Sequence, residues 1–219
     1  MRVTPRFIAC LAVACISASL AQAQGMGQMA GMGQMAGMGQ MAPPPATPSA
    51  AILGFVQRFE GNFMAAAQAM PADKYSFAPS DPGVFKPGSP AQFATVRTFG
   101  QQLTHVIGES YRNLAPFGVK PDTDVDLKTI DSITDKDTIL KDLQASFDYQ
   151  NKVINTITAQ NVLTPTGPRN TNLVAALLSI LNDDGDHYGQ MVEYLRMNGI
   201  IPPATERQMQ AKPAAAPAK

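Results

Sequence analysis

The chain contains no tryptophan and only two cysteines, Cys10 and Cys15, both near its N-terminus. With that end removed on export the mature chain has no thiol, which excludes a disulfide, a cysteine nucleophile, cysteine-ligated zinc and c-type haem. An excess of either charge is also missing, since Lys plus Arg and Asp plus Glu come to 17 each and the basic residues of the folded region form no patch or stripe. Nucleic acid is therefore not an expected partner. The longest apolar run, Phe7 to Leu20, has about 14 residues, short of the roughly 20 that a membrane-crossing helix needs. Histidine is scarce, with His105 and His187 the only two. Any imidazole chemistry must use one or both.

What is present begins with a targeting signal. Two arginines in Met1 to Arg6, the apolar stretch after them and Ala21-Gln22-Ala23 read as a secretory signal with an A-x-A cleavage site. Residues 1–23 are then the signal peptide, and the product is expected to be exported and periplasmic. Ala12-Val13-Ala14-Cys15 loosely resembles a lipoprotein box, the competing outcome, which would leave Cys15 lipidated. Residues 24–48 read as a low-complexity linker, with Gly-Met-Gly-Gln-Met-Ala occurring three times from Gly25 to Ala42 before Pro43-Pro44-Pro45. Thioethers at every third position from Met26 to Met41 suit Cu(I) or Ag(I), although an expanded repeat in a disordered tether is the plainer reading. Residues 204–219 read as a disordered tail.

Between these ends the apolar residues recur with helical spacing. A first helix from about Ser49 to Met70 puts Ile52, Phe55, Val56, Phe59, Phe63 and Met70 on one stripe, and Pro71 closes it. A second, from about Pro90 to Ala115, buries Phe93, Val96, Gly100, Leu103, Ile107, Tyr111 and Leu114. Thr134-Asp135-Lys136-Asp137 reads as a capping box that starts a third helix, running to about Ala159 with Leu140, Leu143, Phe147, Ile154 and Ile157 inward. The fourth, from about Thr171 to Asn198, carries Val174, Leu177, Leu178, Leu181, Tyr188, Val192 and Leu195, and Gly199 with Pro202-Pro203 ends it. Four amphipathic helices without a strand pattern predict an all-α fold, a four-helix bundle over residues 49–203.

Helical-wheel counting places both histidines off their apolar stripes, which predicts an outward-facing groove rather than core positions. Asp183 precedes His187 by four residues, so the two project from one face a turn apart, and Gln190 and Tyr194 continue that face. Two neutral imidazoles and a carboxylate form a set that can hold Zn²⁺, Ni²⁺ or Fe²⁺ with coordination positions left open. A di-iron carboxylate centre is excluded because no glutamate stands three residues before a histidine. No Gly-x-Ser-x-Gly elbow presents a serine nucleophile.

Three runs carry a family resemblance. His187-Tyr188-Gly189-Gln190, then Tyr194-Leu195-Arg196, then Asn198-Gly199-Ile200-Ile201-Pro202-Pro203 resemble the last helix of DinB-like proteins. Thr98-Phe99-Gly100-Gln101-Gln102-Leu103-Thr104-His105 is similar to the family's second-helix motif, and Met70-Pro71-Ala72-Asp73-Lys74-Tyr75-Ser76-Phe77 to its M-P-x-x-x-Y-x-F run. The resemblance spans about residues 49–203 and implies a four-helix bundle with a three-histidine metal site. His105 and His187 then take the first and third ligand positions, and Asp183 stands where the family has its second histidine. Tyr188 and Arg196, which also match, read as structural: the first lies on the apolar stripe and the second in the last turns, where a cation suits the helix C-terminus.

The family includes thiol-dependent transferases and isomerases, whose chemistry suits a reducing cytosol. For an exported member a metal-activated water, and hence a hydrolase, fits the compartment better. Two readings stay open: a metal-dependent hydrolase or transferase, and a non-catalytic binding or scaffold bundle with a vestigial site. The expected partners are an unidentified small molecule and, left open, a second copy in a homodimer.

Overall fold

The computed structural model describes residues 44–79 and 96–211. By internal contacts the chain divides into Met1–Ala42 and Pro43–Lys219. The signal peptide, the lipoprotein-like box, the methionine repeat and residues 212–219 lie outside the described residues.

The described part is all-α and bundle-like. Its helices are α1 (Pro48–Ala69), α2 (Phe99–Leu114), α3 (Lys136–Ile154), α4 (Leu173–Met197) and α5 (Pro203–Ala211). Both α1 and α2 pack against α3 and α4, and α5 packs on α1. Among the described residues the only β pairing is one isolated bridge, Pro165 with Asn172. The buried side chains form one continuous cluster, in which Phe63, Phe99, Leu103, Ile107, Leu143 and Phe147 are among the most enclosed. Each such side chain contributes on the order of 1.5–3 kcal/mol of burial.

Local signals set the helix ends. At the start of α1, Thr47 accepts a bond from the Ala50 amide at 3.1 Å, and Pro48 fills the first turn. Thr98 and Gln101 close a reciprocal capping box on α2, at 2.9 and 3.2 Å, so this helix begins at Phe99; the expected start near Pro90, and Phe93 with it, lie outside the described residues. On α3 the cap is Asp135, which accepts from the Thr138 amide at 2.9 Å, in place of the Thr134 hydroxyl expected from the sequence. The α3 helix ends at Ile154 rather than near Ala159. Asn172 caps α4 through the Ala175 amide at 2.8 Å.

Two side-chain faces differ from the sequence reading. Phe55 is exposed, because the buried line of α1 runs through Val56, Phe63, Ala66 and Ala67. On α4 the buried line is Leu177, Ile180, Asp184, His187, Met191 and Tyr194, and Leu178 faces solvent. Two polar residues occupy this line, so counting apolar positions alone rotates the helix in error. The α5 helix is a further departure, since residues from 204 were expected to be disordered. Pro203 starts it rather than stopping the chain, because proline costs nothing at a first helical position.

Tyr75, just after α1, fixes the front of α2. Tyr75 sends its hydroxyl to the Ala67 carbonyl at 2.8 Å, and its own carbonyl accepts from the Gly100 amide at 2.8 Å. A Cβ at Gly100 would stand 3.2 Å from that carbonyl oxygen, so glycine permits the approach. Arg97 and Gln102 flank this anchored start.

Candidate metal centre

Nearly all of α2 is enclosed; only the line through Gln101, His105, Glu109, Arg112 and Asn113 reaches toward solvent. His105 on that line is half-buried, as its place off the apolar stripe predicts. His187 is not: it is buried on the core-facing line of α4, where an outward groove position was expected. Asp183, one turn earlier, keeps a partly exposed side chain but turns its Oδ2 inward. The three side chains meet, with one ligand atom from each lying within 4.8 Å of the others. The imidazole centroids are 4.7 Å apart.

Asp183 Oδ2 lies 3.4 Å from His105 Nε2 and 3.5 Å from His187 Nε2. Neither approach has hydrogen-bond geometry, and Oδ2 is buried without a partner. Ligand atoms about 2.0–2.1 Å from a tetrahedral ion stand about 3.4 Å from one another. The two nitrogen-to-oxygen separations match that edge length, and an orphaned buried oxygen between two imidazole nitrogens is what such a set presents. The residues therefore fit a divalent ion, and the nitrogen and oxygen donors suit Zn²⁺ or Fe²⁺.

A hydrogen-bond relay fixes the proton on His187. Asp186 as a carboxylate can only accept, so Gln190 donates Nε2 to its Oδ2 at 2.8 Å and turns Oε1 to Gln102. At the other end the Arg97 carbonyl also only accepts, so the Tyr194 hydroxyl donates to it at 3.1 Å and leaves its oxygen for Gln102. Both anchors demand that Gln102 point Nε2 at Gln190 and Tyr194, at 2.8 and 3.3 Å. Its Oε1 is then left for His187 Nδ1, with which it is in contact. A carbonyl oxygen accepts, so the proton sits on Nδ1 and Nε2 presents its lone pair toward Asp183. This is the outer-shell pattern that orients metal-ligating histidines. Burial, first, pushes the His187 pKa below the ordinary histidine value, and the Asp183 carboxylate opposes that. A neutral, correctly turned imidazole results.

Arg97 and Gln102 were not singled out from sequence. Gln102 belongs to the same T-F-G-Q-Q-L-T-H run as His105, but its role depends on a contact with α4 that helical spacing does not show. Tyr194 and Gln190, placed on the Asp183 face, serve the relay instead. Tyr188 packs its ring edge-on against Phe59, in keeping with the structural role expected of it, and Arg196 pairs with Glu193 on the surface.

Comparison with known proteins finds no matching family model, no matching curated protein and no matching solved structure.

Proposed function

We propose that the chain is an exported DinB-like protein, a four-helix bundle of α1 to α4 in which His105, Asp183 and His187 hold one divalent ion. On this reading it is a metal-dependent hydrolase, or alternatively a transferase, acting on a small molecule. The observation that carries the reading is the Asp183 Oδ2, buried and unpartnered between two imidazole Nε2 atoms. When bound, the ion would supply Lewis acidity and activation of a water near neutral pH. The chain's own residues supply the rest. Gln102 holds His187 in the tautomer that faces Asp183, and the buried wall of α4 keeps that imidazole neutral. Half-buried His105 leaves the site reachable from outside, as a catalytic centre requires.

The proposal includes cleavage after Ala23, which the intact mass of the exported protein reports; a lipidated Cys15 at the N-terminus would refute it. Metal content tests the site. The purified protein should carry close to one equivalent of divalent metal, and Asp183→Ala should lose it while the helical circular dichroism is kept. A metal-free wild type that also fails to take up added Zn²⁺ would remove the enzyme reading.

A further inference from the structure

His105 carries its proton on the opposite nitrogen from His187. The Arg97 Nη2 lies 3.2 Å from His105 Nδ1 in hydrogen-bond geometry. A guanidinium has only donors, so Nδ1 accepts, and the neutral ring holds its proton on Nε2. That is the nitrogen 3.4 Å from Asp183 Oδ2. The atom that His105 would offer to an ion is therefore blocked. To ligate, the ring must release the Nε2 proton to water and take one up on Nδ1, with no net change of charge. Nδ1–H and the guanidinium would then face each other as two donors, so Arg97 has to leave.

Arg97 has open space beside it. It lines an open cavity of about 590 Å³ together with Gln101, Gln102, His105, Asp131 and Gln190. No carboxylate among the described residues lies within ion-pair distance of it. A planar fork of donors without an acid partner, on the wall of a cavity lined by amides, suits a small oxyanion held by paired hydrogen bonds. Among the described residues Asp131 is the one acid lining the same cavity, and it disfavours a multiply charged ligand. A monocarboxylate is the class that fits.

We propose that Arg97 gates the metal centre, holding His105 in the non-ligating tautomer until a small carboxylate in the cavity draws the guanidinium away. Carboxylate and metal then bind with positive coupling, each removing a cost that the other would meet. This rests on the metal-site reading, and the test separates the two. Zn²⁺ affinity is measured by calorimetry for wild type and Arg97→Met, in chloride and in acetate at equal ionic strength. Arg97→Met should bind Zn²⁺ about tenfold tighter than wild type, since one hydrogen bond to a charged donor no longer competes. Acetate should tighten wild-type binding and leave the variant unchanged. The bond that Tyr194 makes to Arg97 uses the backbone carbonyl, so the substitution spares it.

In the metal-free wild type, ¹⁵N spectra should show His105 protonated at Nε2 and His187 at Nδ1. Unchanged or weaker Zn²⁺ binding in Arg97→Met overturns the gate while leaving the metal site standing. An acetate effect that persists in the variant overturns Arg97 as the carboxylate anchor. Failure of both proteins to bind Zn²⁺ overturns the metal reading and the gate with it.

Discussion

Glu60 on α1 is the side chain whose titration most plainly opposes the fold at neutral pH. Burial raises its pKa from 4.5 to about 7, with Asn151 lowering it through hydrogen bonds and Asp148 raising it further. The unfolded chain loses this proton near 4.5 and the folded protein keeps it to about 7. Its contribution to stability is thus full below the lower value and lost as pH rises through the higher one. Asp184, enclosed on α4, is shifted in the same direction by burial and then by Asp183. Glu60→Gln keeps an acceptor for Asn151 Nδ2 and adds a donor for the Asn151 Oδ1, which is buried and unpartnered. Urea midpoints should fall between pH 5 and pH 8 more steeply for wild type than for this variant. At pH 8 the variant should be more stable by about 1 kcal/mol. Parallel pH profiles would mean that Glu60 is better solvated than its position implies.

At the scale of single helices, the ends carry the most testable physics. The α4 helix closes in a Schellman motif: the Gly199 amide bonds the Arg196 carbonyl at 3.0 Å and the Ile200 amide the Leu195 carbonyl at 2.9 Å. Gly199 adopts a φ of 72°, and nothing lies within 4 Å of a Cβ built there. The cost of a side chain is therefore conformational and not steric. Gly199→Ala should lower stability by about 1 kcal/mol with an unchanged helical spectrum. A loss near zero in thermal or urea unfolding would contradict the αL assignment. Lys136 ties a second end across elements, donating from the start of α3 to the Gln68 and Met70 carbonyls at the end of α1, 2.8 Å each.

These ends also show what the sequence could tell. Gly199 was legible because its chemistry is local, whereas the Thr98 box, equally local, was passed over when α2 was started near Pro90. The helical class was legible too, since apolar spacing needs no partner. The buried line of α4 was not, because Asp184 and His187 look like surface residues until α1 and α2 pack against that helix. Pro202-Pro203 was read as closing α4, which does end at Met197, but that reading missed that Pro203 opens α5, since proline suits a first helical position.

At the scale of the whole molecule, packing makes the site. The α2 and α4 helices belong to distant parts of the chain, and their contact sets His105 beside Asp183 and His187 and joins Gln102 to Gln190 and Tyr194. The ligand residues were nameable from sequence because Asp183 and His187 are one helical turn apart and His105 is the only other histidine. Their burial, the opposed tautomers and the cavity beside Arg97 arise between helices and have no signature along the chain. No helix among the described residues is long and apolar enough to cross a membrane.

The most direct test of the account is the visible spectrum of the protein titrated with Co²⁺. An ion held by two imidazoles, one carboxylate and an open position should give the intense absorption of four- or five-coordinate cobalt, saturating at one equivalent. His105→Ala, Asp183→Ala and His187→Ala should each abolish that band, and Asp183→His should retain it with tighter binding. A weak octahedral spectrum indistinguishable from aqueous Co²⁺, or a band that survives all three alanine variants, would contradict a metal centre at His105, Asp183 and His187.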